Sequence, residues 1–222
     1  MICFVIAMES EAVPVVANLQ GAELSVRAGR KIYSGRLCGE ETAVIVTDVG
    51  KVNAAAGAQL AADALGAEAI INAGLAGALN DGMRVGGIYA ISHAAEYDFD
   101  LRQINGTPMG TLNEYEDRWL PLARAEGYDE KKLATGDRFN DSAADFDMLT
   151  GDFGADIRDM EGAAIAHVCA RAGIPCFSFK VISDIAGSGS TTEQFIKNTG
   201  LCADNLKGEI PAIFRAVRRA LR

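Results

Sequence analysis

Three carboxylates stand where buried apolar runs come to an end. Glu11 follows the run at 3–7, within Ala7-Met8-Glu9-Ser10-Glu11. Glu161 follows Asp159-Met160 where a strand gives way to a helix, and Asp184 closes the apolar run 177–183. A carboxylate at such a place is costly unless it is partnered or opens into a cleft. Each has a plainer reading when taken singly. Glu9 and Glu11, like Glu161, could be first-turn residues favoured by a helix dipole, and Asp184 could begin a turn with Ile185-Ala186-Gly187. Taken together, the set suits cleavage of a nucleoside's glycosidic bond. Positive charge grows on the ribose in that transition state. One carboxylic acid can protonate the departing base while a carboxylate on the opposite face activates water. A third can accept hydrogen bonds from the ribose hydroxyls.

These residues need a scaffold that brings distant strand ends together. The pattern predicts strands at 3–7, 69–73, 86–92, 132–137 and 175–183, and a hairpin of 31–37 with 43–47. It predicts helices at 10–19, 52–65, 118–126, 143–149 and 161–172, the last stopped by Gly173 with Pro175 beyond. Residues 94–115 read as a long loop, and the last 30 residues as helix with breaks near Gly200 and Pro211. Strands alternate with helices, and several strands are apolar on both faces. That pattern implies an α/β fold, a three-layer α/β/α sandwich around a mixed, mainly parallel sheet. In such sheets ligands sit beyond the carboxyl ends of the strands, where the three carboxylates lie. No repeat or linker divides residues 1–222, so a single domain is expected.

Composition narrows the function further. A net charge of −9 argues against a nucleic-acid partner, and the Arg215, Arg218, Arg219 and Arg222 group reads as a helix end. Five cysteines without a CxxC read as reduced thiols of a cytoplasmic protein. The first residues lack the marks of a signal peptide, and no apolar stretch is long enough for a membrane span. His93 and His167 have no ligand-spaced cysteines, so no metal site is expected.

Several segments together resemble the methylthioadenosine/S-adenosylhomocysteine nucleosidases, within the nucleoside phosphorylase superfamily. They are Ala7-Met8-Glu9-Ser10-Glu11, Gly50-Lys51-Val52-Asn53-Ala54-Ala55, Asn72-Ala73-Gly74-Leu75-Ala76-Gly77, Gly136-Asp137-Arg138-Phe139, Met160-Glu161-Gly162-Ala163-Ala164-Ile165-Ala166-His167 and Ile182-Ser183-Asp184. They keep the family's order over residues 5–197. The resemblance implies Glu11 as the base that deprotonates water and Asp184 as the acid for N7 of the purine. It implies that Met160 and Glu161 hold the ribose and that Phe139 stacks on the base. The backbone of Asn140 would pair with the purine edge, and the Gly77 amide would face the ligand. It implies a small-molecule purine nucleoside as partner, no cofactor or metal, and a homodimer. Leu75 stands where the family carries a serine near the water, and Lys180 where it carries an arginine. Residues 99–115 differ from the family's loop.

The other conspicuous residues read plainly. Gly50-Lys51 lacks the upstream glycine of a P-loop and reads as a helix start. Gly74-Leu75-Ala76-Gly77 is not a dinucleotide fingerprint. His167 and Trp119 read as packing residues, and Asp98 and Asp100 near His93 as a solvated loop. The first-strand loop carries Glu9 and Glu11 and no arginine, which disfavours phosphate and points to hydrolysis. The readings that stay open are a futalosine hydrolase, a purine nucleoside phosphorylase and a non-catalytic nucleoside-binding protein.

Overall fold

A computed structural model describes residues 1–139 and 142–222. The chain runs β1 (Ile2–Ile6), α1 (Glu9–Val16), β2 (Gln20–Arg27), β3 (Arg30–Leu37), β4 (Glu40–Val46), α2 (Lys51–Leu65), β5 (Ala69–Ala78) and β6 (Ile88–Glu96). It continues through α3 (Arg102–Asn105), β7 (Leu120–Pro121), β8 (Glu130–Thr135), α4 (Ala143–Asp147) and a π-helical turn (Met148–Asp152). β9 (Ile157–Asp159), α5 (Gly162–Ala172), β10 (Cys176–Ile185) and α6 (Thr191–Ala220) complete it.

The sheet is mixed. β1 lies parallel to β4 and β5, and β5 parallel to β10. β10 then pairs antiparallel with β6, β6 parallel with β8, β8 parallel with β9, and β9 returns antiparallel to β5. The strands β5, β10, β6, β8 and β9 therefore form a closed circuit. β1, β4, β3 and β2 extend from it as an open wing. The expected layered stack did not include this closure. It arises because β5 has hydrogen-bonded neighbours on both sides and a third, β9, at its far end.

Burial explains the unbroken apolar strands. Along β1, Cys3 and Val5 join a core with Ala54 and Ala58 of α2 and Ile165 of α5. Ile2, Phe4 and Ile6 join another with Val15 of α1 and Ile210, Ile213 and Phe214 of α6. Alternate residues point to opposite faces, and both faces are covered, so neither register position is polar. Among the described residues, no helix is long and apolar enough to cross a membrane.

Four expectations require correction. β5 does not stop at residue 73 but runs on through Gly74–Gly77, because β10 and β9 supply its hydrogen-bond partners there. Residues 118–126 form no helix; β7 pairs with β6 instead. Within 94–115, residues 94–96 belong to β6 and only α3 is helical. α6 is continuous over 30 residues. An interior glycine costs about 1 kcal/mol and a proline about 3, which is less than the apolar face Cys202, Leu206, Ile210, Ile213, Phe214 and Val217 gains by burial. β2, every residue of it exposed, went unread because no buried face imposes a pattern on it.

Candidate active site

β1, β5, β9 and β10 deliver their ends to one cavity of about 440 Å³. Glu11 enters from the first turn of α1. Its Oε2 accepts the Met8 N–H at 3.1 Å, the reach-back typical of a third helical residue, and its Oε1 accepts the Leu75 N–H at 2.6 Å. The approach to β5 requires glycine beside it, since a Cβ on Gly74 would lie 2.8 Å from Glu11 Oε1. Asp184 lies within β10, beside the irregularity between Ile182 and Asp184, rather than after the strand. Ser183 Oγ donates to Asp184 Oδ1 at 2.7 Å. The other oxygen, Oδ2, would lie 2.6 Å from a Cβ on Gly77. Glu161 follows β9 by two residues, and its Oε1 accepts the Gly50 N–H at 2.8 Å, which ties the start of α2 to the site.

Beneath these groups lies an ion pair. Lys180 Nζ of β10 contacts Asp159 Oδ2 of β9 at 2.8 Å. The same oxygen accepts the Gly162 N–H at 2.8 Å, and Asp159 Oδ1 accepts the Thr135 hydroxyl at 2.5 Å. Asp159 is therefore saturated with donors, as a buried charge must be. Among the described residues, Lys180 is nevertheless the one fully buried cation, set against four buried carboxylates, Glu11, Asp159, Glu161 and Asp184. The imbalance appears in their acidities. Burial, then the negative charge of Asp159, pushes Glu161 up to about 7, against the opposing pull of Lys180 and the Gly50 N–H. Burial raises Glu11 above the usual carboxylate range despite its backbone hydrogen bonds and Lys180. For Lys180 itself burial is the largest influence and acts downward, but the charge and hydrogen bond of Asp159, joined by the fields of Glu161 and Glu11, together outweigh it and hold the ammonium charged. A carboxylate poised near neutrality, as Glu161 is, suits acid–base chemistry at pH 7.

Glu11, Glu161 and Asp184, with Gly77, Met160 and Phe139, all line this cavity. Asn140 lies outside the described residues. The Phe139 ring is half exposed at the mouth and meets Phe195 of α6 edge-on at 5.5 Å between centroids. Among the described residues, no group of three His, Cys, Asp or Glu side chains is arranged to hold a metal ion. His167 lies outside the cavity lining, bonded to Glu96 and Glu114. Asp98 receives Lys51 Nζ at 2.5 Å, and Gly50-Lys51 opens α2. Arg218 pairs with Glu40 and Glu68, a structural use for the basic C-terminus.

Sequence reasoning missed Asp159, Arg158 and Phe195. Lys180 held the clue to Asp159: a lysine inside an apolar strand demands a buried carboxylate. Arg158 lay in a three-residue strand too short to read, and nothing in a helical pattern marks Phe195 as facing a cleft.

The family model of the Phosphorylase superfamily matches residues 1–215. The chain belongs to the phosphorylase superfamily. Superfamily relatives similar to it include the 5′-methylthioadenosine/S-adenosylhomocysteine nucleosidase of Geobacillus kaustophilus (strain HTA426), 32% identical over 206 residues. That match covers 86% of this chain and 88% of the relative. The aminodeoxyfutalosine nucleosidase of Campylobacter jejuni subsp. jejuni serotype O:2 is 28% identical over 213 residues, 90% of this chain and 93% of the relative. Among solved structures, the 5′-methylthioadenosine/S-adenosylhomocysteine nucleosidase from S. pneumoniae with a transition-state inhibitor superposes with a TM-score of 0.87. It is 21% identical, with 97% of this chain and 99% of that one covered, and shows the superfamily fold.

Proposed function

We propose that this protein hydrolyses the N-glycosidic bond of a purine nucleoside, releasing the free base. The substrates expected first are 5′-methylthioadenosine, S-adenosylhomocysteine or a related 5′-substituted nucleoside, the class that names its Geobacillus relative. The observation that carries the reading is the convergence of Glu11, Glu161 and Asp184 on one cavity.

In this reading Glu11 takes a proton from water as the water oxygen bonds to the anomeric carbon. The bond from that carbon to the base breaks, its electron pair leaves with the purine, and Asp184 gives its proton to N7. Glu161, with Met160 beside it, holds the ribose hydroxyls; near its midpoint at neutrality it can accept or donate. Phe139 stacks on the base, the Gly77 amide faces the ligand, and the backbone of Asn140 pairs with the purine edge. Leu75 replaces a serine in side chain only, because its backbone N–H holds Glu11. That contact favours a working base over a binding protein that has lost its water site.

Hydrolysis is favoured over phosphorolysis on charge. Lys180 is consumed by Asp159, and the surrounding buried carboxylates repel a phosphate. A futalosine-type substrate is the second reading, favoured by the Campylobacter relative. A homodimer is supported by the exposed apolar side chains of Val49, at the cavity, and Val52, in the first turn of α2, and a cytoplasmic setting by five free thiols. The test is release of free base from a panel of purine nucleosides, with and without phosphate. An absolute phosphate requirement would reverse the hydrolytic assignment, and no base release from any nucleoside would end the nucleosidase reading.

A further inference from the structure

The open wing of the sheet ends in a strand with a bare edge. β2 bonds to β3 on one side, and among the described residues no strand pairs with its other side. All of β2 is exposed, including the large apolar side chains of Leu24 (56%) and Val26 (68%). Such edges are usually blunted by lysine, proline or an inward-pointing charge, because their free N–H and C=O groups recruit other chains. Between Gln20 and Arg27 there is no lysine and no proline, and the charged residues are one acid, Glu23, and one base, Arg27.

The turn fixes which backbone groups are free. Ala28 and Gly29 both have positive φ, 49° and 76°, in a two-residue turn that closes the hairpin on Arg27 and Arg30 as a hydrogen-bonded pair. Bonded and unbonded pairs alternate along an antiparallel ladder. Ser25 with Ile32 and Glu23 with Ser34 are therefore bonded inward, and the N–H and C=O groups of Leu24 and Val26 point outward. Of the side chains, Glu23, Ser25 and Arg27 share one face of the strand, and Leu24 and Val26 the other. Arg27 Nη1 donates to the Ala64 carbonyl of α2 at 3.3 Å, which leaves its other N–H groups for a second acceptor.

We infer that β2 is a self-association surface, through which two copies of this chain join edge to edge, antiparallel, about a two-fold axis at Ser25. Outward-pointing residues must meet outward-pointing residues, which restricts the register. The register centred on Ser25 obeys that restriction and sets Leu24 of each copy against Val26 of the other. Those residues exchange the ladder bonds, and their side chains form one apolar cluster across the axis. The same register sets Glu23 of each copy against Arg27 of the other. Both ion pairs fall at non-hydrogen-bonded positions, where opposed side chains come closest. Moving the centre to Leu24 or Val26 places Glu23 opposite Ser25 or Gly29 and loses both pairs. The contact involves neither Val49 nor Val52 nor, among the described residues, any of the cavity lining. It therefore stands apart from the reaction and the homodimer proposed above.

The test is sedimentation velocity of the full chain over a concentration series. The wild-type mass should rise with concentration above that of either single variant. Glu23→Arg and Arg27→Glu each put like charges opposite one another at both ends of the ladder, and each should weaken association by about 10-fold or more. The double variant reverses the pairs and should recover wild-type association. An equimolar mixture of the two single variants should recover it too, because each supplies the charges the other lacks. Far-UV dichroism is expected to match in all of them, since both side chains are exposed. A wild-type mass that does not rise with concentration would overturn the inference. So would association that persists unchanged in both single variants, since it would belong to another surface. Weakening that neither the double variant nor the mixture repairs would overturn it as well.

Discussion

Lys180 Nζ lies 2.8 Å from Asp159 Oδ2, and only 2% of either side chain is exposed. The pair joins β10 to β9 across the floor of the site, where β5 separates their strands. Breaking a buried pair from one side leaves an uncompensated charge and costs about 3–5 kcal/mol. Lys180→Met should show a loss of that order in urea unfolding. Adding Asp159→Asn to it should restore most of the loss. A single variant within about 1 kcal/mol of wild type would mean that the pair is solvated in solution.

Glu161 makes stability fall as pH rises. Its pKa is raised from 4.5 to about 7 on folding, so the folded state holds the proton more tightly than the unfolded chain. The associated stabilisation is complete below about 4.5 and is lost as pH passes through 7. A shift of this size corresponds to an upper limit of about 3 kcal/mol. Glu161→Gln should abolish that slope between pH 4.5 and 7, read from unfolding midpoints across the range. An unchanged slope would assign it to another group.

The two ends of the reaction separate by variant. Asp184→Asn cannot give a proton to N7 and should lower kcat by roughly 10²–10⁴. Glu11→Gln should lose turnover to a similar degree while still binding the free base, since in the proposed mechanism Glu11 acts on water. Wild-type turnover in a folded Asp184→Asn protein would remove Asp184 from the chemistry, and lost binding in Glu11→Gln would make Glu11 a binding residue.

Gly74 tests whether the Glu11 carboxylate must sit where it does. A methyl group there would stand 2.8 Å from Oε1, too close for the carboxylate to stay in place. Gly74→Ala is expected to reduce kcat by about 10-fold or more, the scale on which small misplacements act. Its far-UV dichroism should match that of wild type. Full activity would show that the acceptor geometry is not limiting.

Much of this was legible in the sequence, for identifiable reasons. β1, β5 and β10 are buried on both faces and announce themselves as apolar runs. Glu11 and Glu161 stand out because strand ends bring carboxylates where apolar patterns stop. The closure of the sheet was not legible, since it depends on which strand β9 meets, and three residues carry no pattern. α6 defied its own Gly200 and Pro211 because burial of its inner face prevailed over local propensity. Arg158 went unnoticed for a third reason: its place at the cavity follows from its pairing with Gly77 across the sheet, and cross-strand neighbours cannot be read from one strand alone.

β5 is the strand through which the circuit and the wing are joined, and it is buried along its full length. Its backbone amides belong to the part of the protein that opens last, together with the whole fold rather than by local fraying. The floor that holds Glu11 and faces Asp184 is therefore set before any nucleoside arrives, and little reorganisation remains to oppose binding. Evolution of a different substrate preference on this scaffold would have to work through the walls, at Phe139 and along the first turns of α6, because the floor cannot move without unfolding the protein.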